Sequence, residues 1–259
     1  MRKNQLKEKL RTGEGTIGMF CTMPSPDLVE VAGLLGFDFV IIDAEHGPPD
    51  VETVEHMVRA AESTGISTVT RVALNSPQNI LRYLDAGSLG LQMPMVNTEE
   101  QARAVVNSVK YPPLGKRGLA GMRATGFGIE RPLDEYVKMS NEQTLVVVQV
   151  ETVEAVKNTD KIARIDNVDV VFVGPTDLSS SMGYTGQPTH PEVIKAIMNL
   201  GQIITGAGKI AGTIARNPAA YRQWREAGFQ YLCTGDAPLF ADSARTYLLG
   251  CRDQERGLK

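Results

Sequence analysis

Residues 145–150 read LVVVQV and residues 168–173 read VDVVFV, and these two apolar runs decide the fold of the 259-residue chain. Each run is nearly continuous in valine and does not alternate, which is typical of a strand covered on both faces. Glu151 follows the first run, and the segment 174–177, GPTD, follows the second. A carboxylate at the end of a buried strand is costly unless a cation meets it. The pair therefore predicts a shared divalent cation held by oxygen ligands.

Short β-rich runs recur along the chain, with amphipathic segments between them. The predicted strands are residues 16–21, 37–42, 67–72, 88–93, 145–150, 168–173, 209–214 and 229–234. The predicted helices are residues 27–35, 50–63, 77–85, 98–108, 153–164, 191–207, 218–227 and 238–249. Eight alternating units favour an α/β fold closed as a (β/α)8 barrel over an open doubly wound sheet. No G-x-G-x-x-G motif follows the first strand, which argues against a dinucleotide-binding sheet.

We expect one barrel domain over residues 1–259, with a long loop at about 110–144. The loop contains YPPLGKRGLAGMRATGFG and then a short helix-like run, DEYVKMS. Loops of this length inside a compact domain are usually functional.

Composition argues against several classes of protein. The formal net charge is -3, and the chain has no long basic stripe, so neither nucleic acid nor an anionic membrane is the expected partner. No run approaches the roughly 20 apolar residues that cross a bilayer. The first fifteen residues alternate in charge and lack a signal core. The three widely spaced cysteines fit reduced thiols. We therefore expect a cytoplasmic protein.

Polar residues follow four of the predicted strands. Residues 43–48 after strand two read DAEHGP, Arg71 ends strand three, Gln149 and Glu151 end strand five, and Asp177 follows strand six. Because the C-terminal ends of barrel strands converge on one face, these groups are expected to meet at a single mouth. This convergence is the main functional signal in the sequence.

Each group suits a step of carbonyl chemistry. Two carboxylates with room for water suit Mg²⁺ or Mn²⁺, whereas a closed zinc site is usually built from His or Cys ligands. Such an ion can chelate a 2-oxo acid and stabilise the enolate formed when an adjacent proton leaves. Arg71 can stabilise oxyanion charge, and His46, or a water that it activates, can be the base. The backbone N–H groups of the turn at 174–178 can hold the substrate carboxylate.

The same residues also have structural interpretations. Glu151 and Asp177 can be favourable acids in the first turn of a helix. Arg71 can be the partner of a buried carboxylate, and His46 can be an ordinary loop histidine. The residues alone leave these alternatives open.

Five motifs resemble the class II pyruvate aldolases, the family of bacterial hydroxy-heptenedioate and 2-keto-3-deoxy-sugar-acid aldolases. The motifs are FDFVIIDAEHGP, TRVALNSPQNILRYLDAGSLGLQMPMV, YPPLGKRG, VQVET and VFVGPTDLSSSMG, and the resemblance covers almost the whole chain. It implies a TIM barrel of the phosphoenolpyruvate/pyruvate type. It also implies a final helix swapped between subunits of a homohexamer, built as a trimer of dimers.

The resemblance further implies the ligands of the metal and of the oxo acid. Glu151 and Asp177 would hold the metal, Mg²⁺ or Mn²⁺, with Co²⁺ or Zn²⁺ as alternatives. Gln149, and Thr176 through its backbone, would contact the oxo acid together with Asp177.

Catalytic roles also follow from the resemblance. His46 would be the base and Arg71 would stabilise the transition state. Asp85, in YLDAG, would raise the basicity of that histidine. Taken by itself, Asp85 has the pattern of an ordinary helix-end residue.

The expected reaction is the reversible, metal-dependent cleavage of a 4-hydroxy-2-oxo acid to pyruvate, or a related 2-oxo acid, and an aldehyde. Citrate synthases of siderophore pathways and oxaloacetate decarboxylases have the same core motifs and remain alternatives. A Schiff-base aldolase needs a lysine in the mouth, and Lys209, before strand seven, is expected at the opposite end. A catalytically silent oxo-acid or metal sensor on the same scaffold is the remaining alternative.

Overall fold

A computed structural model describes residues 2–257 and shows a closed barrel of eight parallel strands. The strands are β1 Thr16–Cys21, β2 Phe39–Asp43, β3 Ser67–Arg71, β4 Gly90–Met93, β5 Leu145–Val150, β6 Val170–Val173, β7 Ile210–Ile214 and β8 Tyr231–Gly235. Each strand pairs with the next along the chain, and β8 closes the barrel against β1. The predicted (β/α)8 barrel is confirmed.

Helices connect the strands and lie outside them. They are α1 Gln5–Arg11, α2 Pro26–Leu34, α3 Val51–Thr64, α4 Pro77–Asp85, α5 Glu99–Val109, α6 Leu133–Gln143, α7 Val153–Ala163, α8 Pro175–Ser181, α9 Pro191–Gly206, α10 Pro218–Glu226 and α11 Asp236–Gly257. A 3₁₀ helix spans Arg123–Gly128. No helix within residues 2–257 is long and apolar enough to cross a membrane.

Local signals start and stop these helices where the sequence predicts. The side chains of Ser25, Ser76 and Asn217 each accept a hydrogen bond from a backbone N–H three residues on, and a proline follows each cap. A proline in the first turn sacrifices no helical hydrogen bond. At the end of α3, Gly65 has φ 83°, a conformation that costs glycine little.

The barrel interior is filled by alternate residues of the strands. Phe39 and Ile41 of β2 belong to the interior cluster, whereas Val40 and Ile42 pack against the surrounding helices. This alternation follows from the period of two in a strand. Gly18 makes room for the ring of Phe39, because a Cβ on that glycine would lie 2.2 Å from the ring.

The N-terminal end of the barrel is closed by α1, which the sequence does not predict. Leu6 and Leu10 of this helix are buried and join the interior cluster. The helix escapes prediction because its apolar face is only two leucines, four residues apart, in a segment that otherwise alternates in charge. Burial of each leucine is worth roughly 1.5–3 kcal/mol.

The helix-like run DEYVKMS is confirmed as part of α6, and the structure defines three segments more closely than the sequence does. The stretch predicted as a loop at about 110–144 contains the 3₁₀ helix and the eleven-residue α6. The segment after β6 forms the short helix α8, so Asp177 lies in a first helical turn. The last helix spans 22 residues and extends in both directions beyond the predicted 238–249.

Candidate active site

A cavity of about 250 Å³ lies at the C-terminal ends of the strands. Six of the seven residues singled out in the sequence line it: His46, Arg71, Gln149, Glu151, Thr176 and Asp177. They come from different βα units, and the parallel order of the strands brings them together. No lysine is among the described residues that line the cavity, and Lys209 instead lines a cleft with Lys7 of α1 at the opposite end.

Arg71 is held in one orientation by two carboxylates. Its Nε donates to Oδ1 of Asp43 at 2.9 Å, and its Nη2 donates to Oδ2 at 2.5 Å. Its Nη1 lies 3.2 Å from Oε2 of Glu45, and its guanidinium lies over the ring of Phe20, 4.8 Å from the centroid. Two parallel hydrogen bonds to one carboxylate are a geometry that lysine cannot make.

The charges of this cluster keep Arg71 and Asp43 ionised. Burial alone would raise the pKa of Asp43, but the hydrogen bonds and charge of Arg71 outweigh it and lower the pKa. Burial likewise lowers the pKa of Arg71, but Asp43 and Glu45 outweigh it and raise the pKa. The guanidinium is therefore a permanent positive charge beside the cavity.

His46 enters the cavity from the loop after β2, and Asp43 shapes that loop. Oδ1 of Asp43 accepts hydrogen bonds from the backbone N–H groups of Glu45, at 3.1 Å, and His46, at 3.3 Å. The His46 side chain is 63% exposed, and its Nε2 lies 3.9 Å from Oε2 of Glu45. The imidazole is thus exposed at the opening of the cavity.

Glu151 is buried just after β5 and is fixed through both oxygens. Its Oε1 accepts from the backbone N–H of Met95 at 2.7 Å, and its Oε2 accepts from Nε2 of Gln149 at 2.8 Å. A Cβ on Gly174 would lie 2.5 Å from Oε2, so any larger residue there would displace the carboxylate. Burial raises the pKa of Glu151, and the charge of Asp177 raises it further against the hydrogen bond from Met95.

The donor set of the cavity fits a hard divalent cation. Three carboxylates, those of Asp43, Glu45 and Glu151, act on the charge of Arg71, and the carboxylate of Asp177 lines the same cavity. Asp43 and Glu45 form ion pairs with Arg71, whereas neither Glu151 nor Asp177 forms an ion pair with any of the described residues. No group of three or more His, Cys, Asp or Glu residues in the described chain is arranged as a complete ligand set. A pair of carboxylates completed by water and substrate matches the ligand preferences of Mg²⁺ and Mn²⁺. It does not match those of a closed zinc site.

Asp85, the seventh predicted residue, does not lie in this cavity. It ends α4, and its Oδ1 accepts from Nη2 of Arg117 at 2.7 Å. Arg117 also lies over the ring of Tyr111, 4.7 Å from the centroid. Because α4 runs back from the mouth toward the start of β4, Asp85 is at the other end of the barrel. Within one chain it is therefore not placed to act on His46.

A larger cavity of about 560 Å³ lies near that other end. It is lined by arginines that include Arg117, bound to Asp85, and Arg123, bound to Glu62. None of the carboxylates at the mouth reaches it. We therefore place the chemistry in the smaller cavity.

Two acids at the mouth have no role in the sequence prediction, although Asp43 belongs to the segment DAEHGP that is expected there. The first, Asp43, is the last residue of β2, and it pairs in register with Arg71 of β3. An acid directly opposite an arginine is a usable signal once the strand register is known. The second, Asp236, accepts from the backbone N–H groups of Thr22 and Met23 and from the Thr22 hydroxyl. It lies 214 residues from Thr22, so no local pattern indicates it.

Comparisons with known proteins place the chain in a family. The chain is 37% identical over 252 residues to a hydroxypyruvate/pyruvate aldolase of Cupriavidus necator, covering 97% of this chain and 93% of that protein. It is 40% identical over 212 residues to a pyruvate aldolase of Rhizobium etli, covering 82% of each.

Solved structures with a similar fold lead to the same family as these relatives. An HpcH/HpaI aldolase/citrate lyase family protein from Burkholderia cenocepacia superimposes with a TM-score of 0.91 at 34% identity, covering 96% of this chain and 100% of that one. The citrate synthase SbnG superimposes with a TM-score of 0.86 at 29% identity, covering 96% of this chain and 98% of that one. The family model named HpcH/HpaI aldolase/citrate lyase matches residues 16–235, from the first residue of β1 to the last of β8. The chain therefore belongs to the HpcH/HpaI aldolase/citrate lyase family.

Proposed function

We propose that this carbon–carbon lyase is a divalent-metal-dependent aldolase. It reversibly cleaves a 4-hydroxy-2-oxo acid to pyruvate, or a related 2-oxo acid, and an aldehyde. The observation that carries the proposal is the position of Arg71, clamped by Asp43, in the same cavity as the carboxylates of Glu151 and Asp177. Aldolase names among relatives that align over most of the chain support the same reaction.

Cleavage requires charge to build up on the oxo-acid half of the substrate. When bound between Glu151 and Asp177, a divalent cation supplies Lewis-acid stabilisation of that charge. Arg71 supplies a second, fixed positive charge, and because Asp43 already orients it, little reorganisation is needed during the reaction.

Proton transfer falls to His46. In the cleavage direction its imidazole takes the proton of the 4-hydroxyl group as the C3–C4 bond breaks and the aldehyde forms. The electron pair of that bond becomes the enolate of the 2-oxo acid, and the imidazolium of His46 then returns the proton to C3, which restores the neutral imidazole. A positioned base of this kind contributes about 10²–10⁴ in rate.

The cavity walls indicate how the oxo acid lies. Phe20, Phe172 and Ile214 provide apolar surface, whereas Gln149 and Thr176 provide polar groups. A small 2-oxo acid can place its carboxylate and keto oxygens toward the polar side and its methyl group against the apolar side. The aldehyde half extends toward the open mouth, where His46 is exposed.

The quaternary structure proposed for this chain is a homohexamer, a trimer of dimers with exchanged α11 helices. Phe240, Tyr247 and Leu249 on α11 are 60–73% exposed, and Leu34 and Leu35 at the end of α2 are 74–75% exposed. A second copy of the chain would cover these apolar faces. An action of Asp85 on His46 would require that the aspartate come from a neighbouring subunit. A monomer in sedimentation velocity would contradict the arrangement.

The surroundings of the cysteines fit a cytoplasmic location. Cys21, Cys233 and Cys251 are all free thiols, and the first two are buried. Free thiols persist in the reducing cytoplasm.

The second candidate function is citrate synthesis from oxaloacetate and an acetyl thioester, favoured by the likeness to citrate synthase SbnG. Decarboxylation of oxaloacetate is the third. Both would use Arg71 to hold an oxo acid. Release of coenzyme A from acetyl-CoA and oxaloacetate, unaffected by chelator, would favour the synthase; carbon dioxide release from oxaloacetate alone would favour the decarboxylase.

The test of the aldolase proposal is Glu151→Gln, assayed for pyruvate release and for Mn²⁺ binding. The change keeps the shape of the side chain but removes its charge, so we expect metal binding and turnover to fall by at least about 100-fold. Glu154→Gln is the control, because Glu154 is exposed in the first turn of α7, three residues away. Full activity of the Glu151 variant would overturn the assignment.

A further inference from the structure

A chain of hydrogen bonds crosses the barrel interior from β8 to Glu151. The Tyr231 hydroxyl donates to Oε1 of Gln92 at 3.1 Å, and Nε2 of Gln92 donates to Oε1 of Gln149 at 2.5 Å. Nε2 of Gln149 then donates to Oε2 of Glu151 at 2.8 Å. All four side chains are buried, with at most 2% of each residue exposed.

The direction of this chain is set by its last member. A carboxylate can only accept, so Gln149 must present its NH₂ group to Glu151 and its carbonyl to Gln92. Gln92 must then present its NH₂ group to Gln149 and its own carbonyl to Tyr231. The hydroxyl of Tyr231 is the terminal donor, so every donor in the chain points toward Glu151.

Tyr231 is itself firmly held. Its ring stacks on Phe39 with centroids 4.4 Å apart, and it meets Phe172 edge-on at 6.1 Å. Burial raises the pKa of Tyr231, so its hydroxyl keeps the proton that it donates. Two amides and a hydroxyl in a barrel core are costly unless each finds a partner, and this chain supplies the partners.

We infer that Tyr231 and Gln92 are positioning residues that set the orientation of Glu151 for the divalent cation. They act through Gln149, whose amide they lock with the NH₂ group toward the carboxylate. With Met95 holding the other oxygen, the remaining lone pairs of Glu151 are free for a cation shared with Asp177. The inference rests on the proposed function and extends it to residues outside the cavity.

Without Gln92, the lock on Gln149 is lost. The Gln149 carbonyl would have no donor, and the amide could rotate to bring its carbonyl toward Glu151. That contact sets two acceptors against each other and displaces the carboxylate. The expected consequence is weaker metal binding in a protein whose fold is retained.

The experiment measures Mn²⁺ binding to the purified full chain by electron paramagnetic resonance, without substrate. We expect Gln92→Met to raise the Kd by about 10- to 100-fold, as for other partners of metal ligands, and Tyr231→Phe to raise it less. The control is Thr213→Val, because the Thr213 hydroxyl is also buried but donates to the Val173 carbonyl. The control should leave the Kd unchanged.

A double variant distinguishes a relay from separate packing effects. If Tyr231 acts only through Gln92, then Tyr231→Phe changes the Kd in the wild-type background but not in the Gln92→Met background. Additive effects of the two changes would overturn the relay. The kinetic counterpart is that each variant regains most of its kcat at saturating Mn²⁺.

The outcomes also separate this inference from the proposed function. If the wild-type protein binds Mn²⁺ and the Glu151→Gln variant does not, the metal site is supported. An unchanged Kd in folded Tyr231→Phe and Gln92→Met variants then overturns the relay alone. Failure of the wild-type chain to bind Mn²⁺ overturns both.

Discussion

Two buried cations, Arg71 at the mouth and Lys110 at the opposite end of the barrel, differ in what surrounds them. Arg71 meets the carboxylates of Asp43 and Glu45. The Lys110 ammonium donates instead to two backbone carbonyls, those of Asn141 at 2.7 Å and Thr144 at 2.8 Å.

The different partners have opposite effects on the two pKa values. Asp43 and Glu45 outweigh burial and raise the pKa of Arg71. Burial lowers the pKa of Lys110 to about 7, and the neighbouring charge of Lys7 contributes to the decrease. Arg71 therefore keeps its positive charge at every physiological pH, whereas Lys110 at the other end mainly binds backbone carbonyls. The two buried cations therefore differ in their partners, which are carboxylates at the mouth and backbone carbonyls at the other end.

The largest expected effect comes from Arg71→Lys, measured as kcat/KM for aldol cleavage. Lysine keeps the charge but cannot bind Asp43 through two parallel bonds and reach Glu45 as well. We expect kcat/KM to fall about 10³-fold, the upper range for loss of one oxyanion donor, while the circular dichroism spectrum stays native. Arg164→Lys is the control, since Arg164 is exposed and pairs only with Asp160 in the described chain. A loss below tenfold would show that the mouth needs only a charge.

Residues that follow strands could be predicted from sequence because chain direction alone brings them together. Once the eight strands were recognised, the order of the barrel placed Arg71, Glu151 and Asp177 at one end. The partners of these residues depend on other information. The Asp43–Arg71 clamp depends on strand register, and the bond from Tyr231 to Gln92 spans 139 residues.

Closure of the other end was missed for a related reason. Periodicity detects a helix by a repeated apolar face, and α1 offers only Leu6 and Leu10. Its stability comes from burial under the barrel, which is a property of the tertiary structure. Lys110 likewise has no local pattern, because Asn141 and Thr144 lie more than 30 residues away.

The second prediction tests whether the closed end is structural. Leu6→Ala removes a leucine that is 1% exposed beneath the barrel. We expect the free energy of unfolding, from urea denaturation, to fall by about 2–3 kcal/mol, the lower part of the range because a site at the end of a core can partly collapse. The KM should not change. Gln5→Ala, on the exposed side of the same helix, is the control; a large KM change in the Leu6 variant would show that the two ends are coupled.

The smallest expected effect is a pH dependence that Lys110 imposes on stability. In the folded chain the pKa of Lys110 is about 7, whereas in the unfolded chain it is about 10.4. Between these values only the unfolded chain holds the proton, so the contribution of Lys110 to the free energy of unfolding is smallest at neutral pH and rises with pH. The charged groups around it are Lys7, Asp169 and Arg117.

The measurement is the difference in the free energy of unfolding between wild type and Lys110→Met, taken from pH 7 to pH 8. It should rise in favour of wild type by at most about 1.4 kcal/mol for each pH unit. The matched difference for Leu6→Ala should stay flat, because that change removes no titrating group. A flat difference for Lys110→Met as well would mean that the two carbonyls hold the ammonium charged. The two buried cations would then be alike in charge, and the distinction between the ends of the barrel would rest on Asp43 and Glu45 alone.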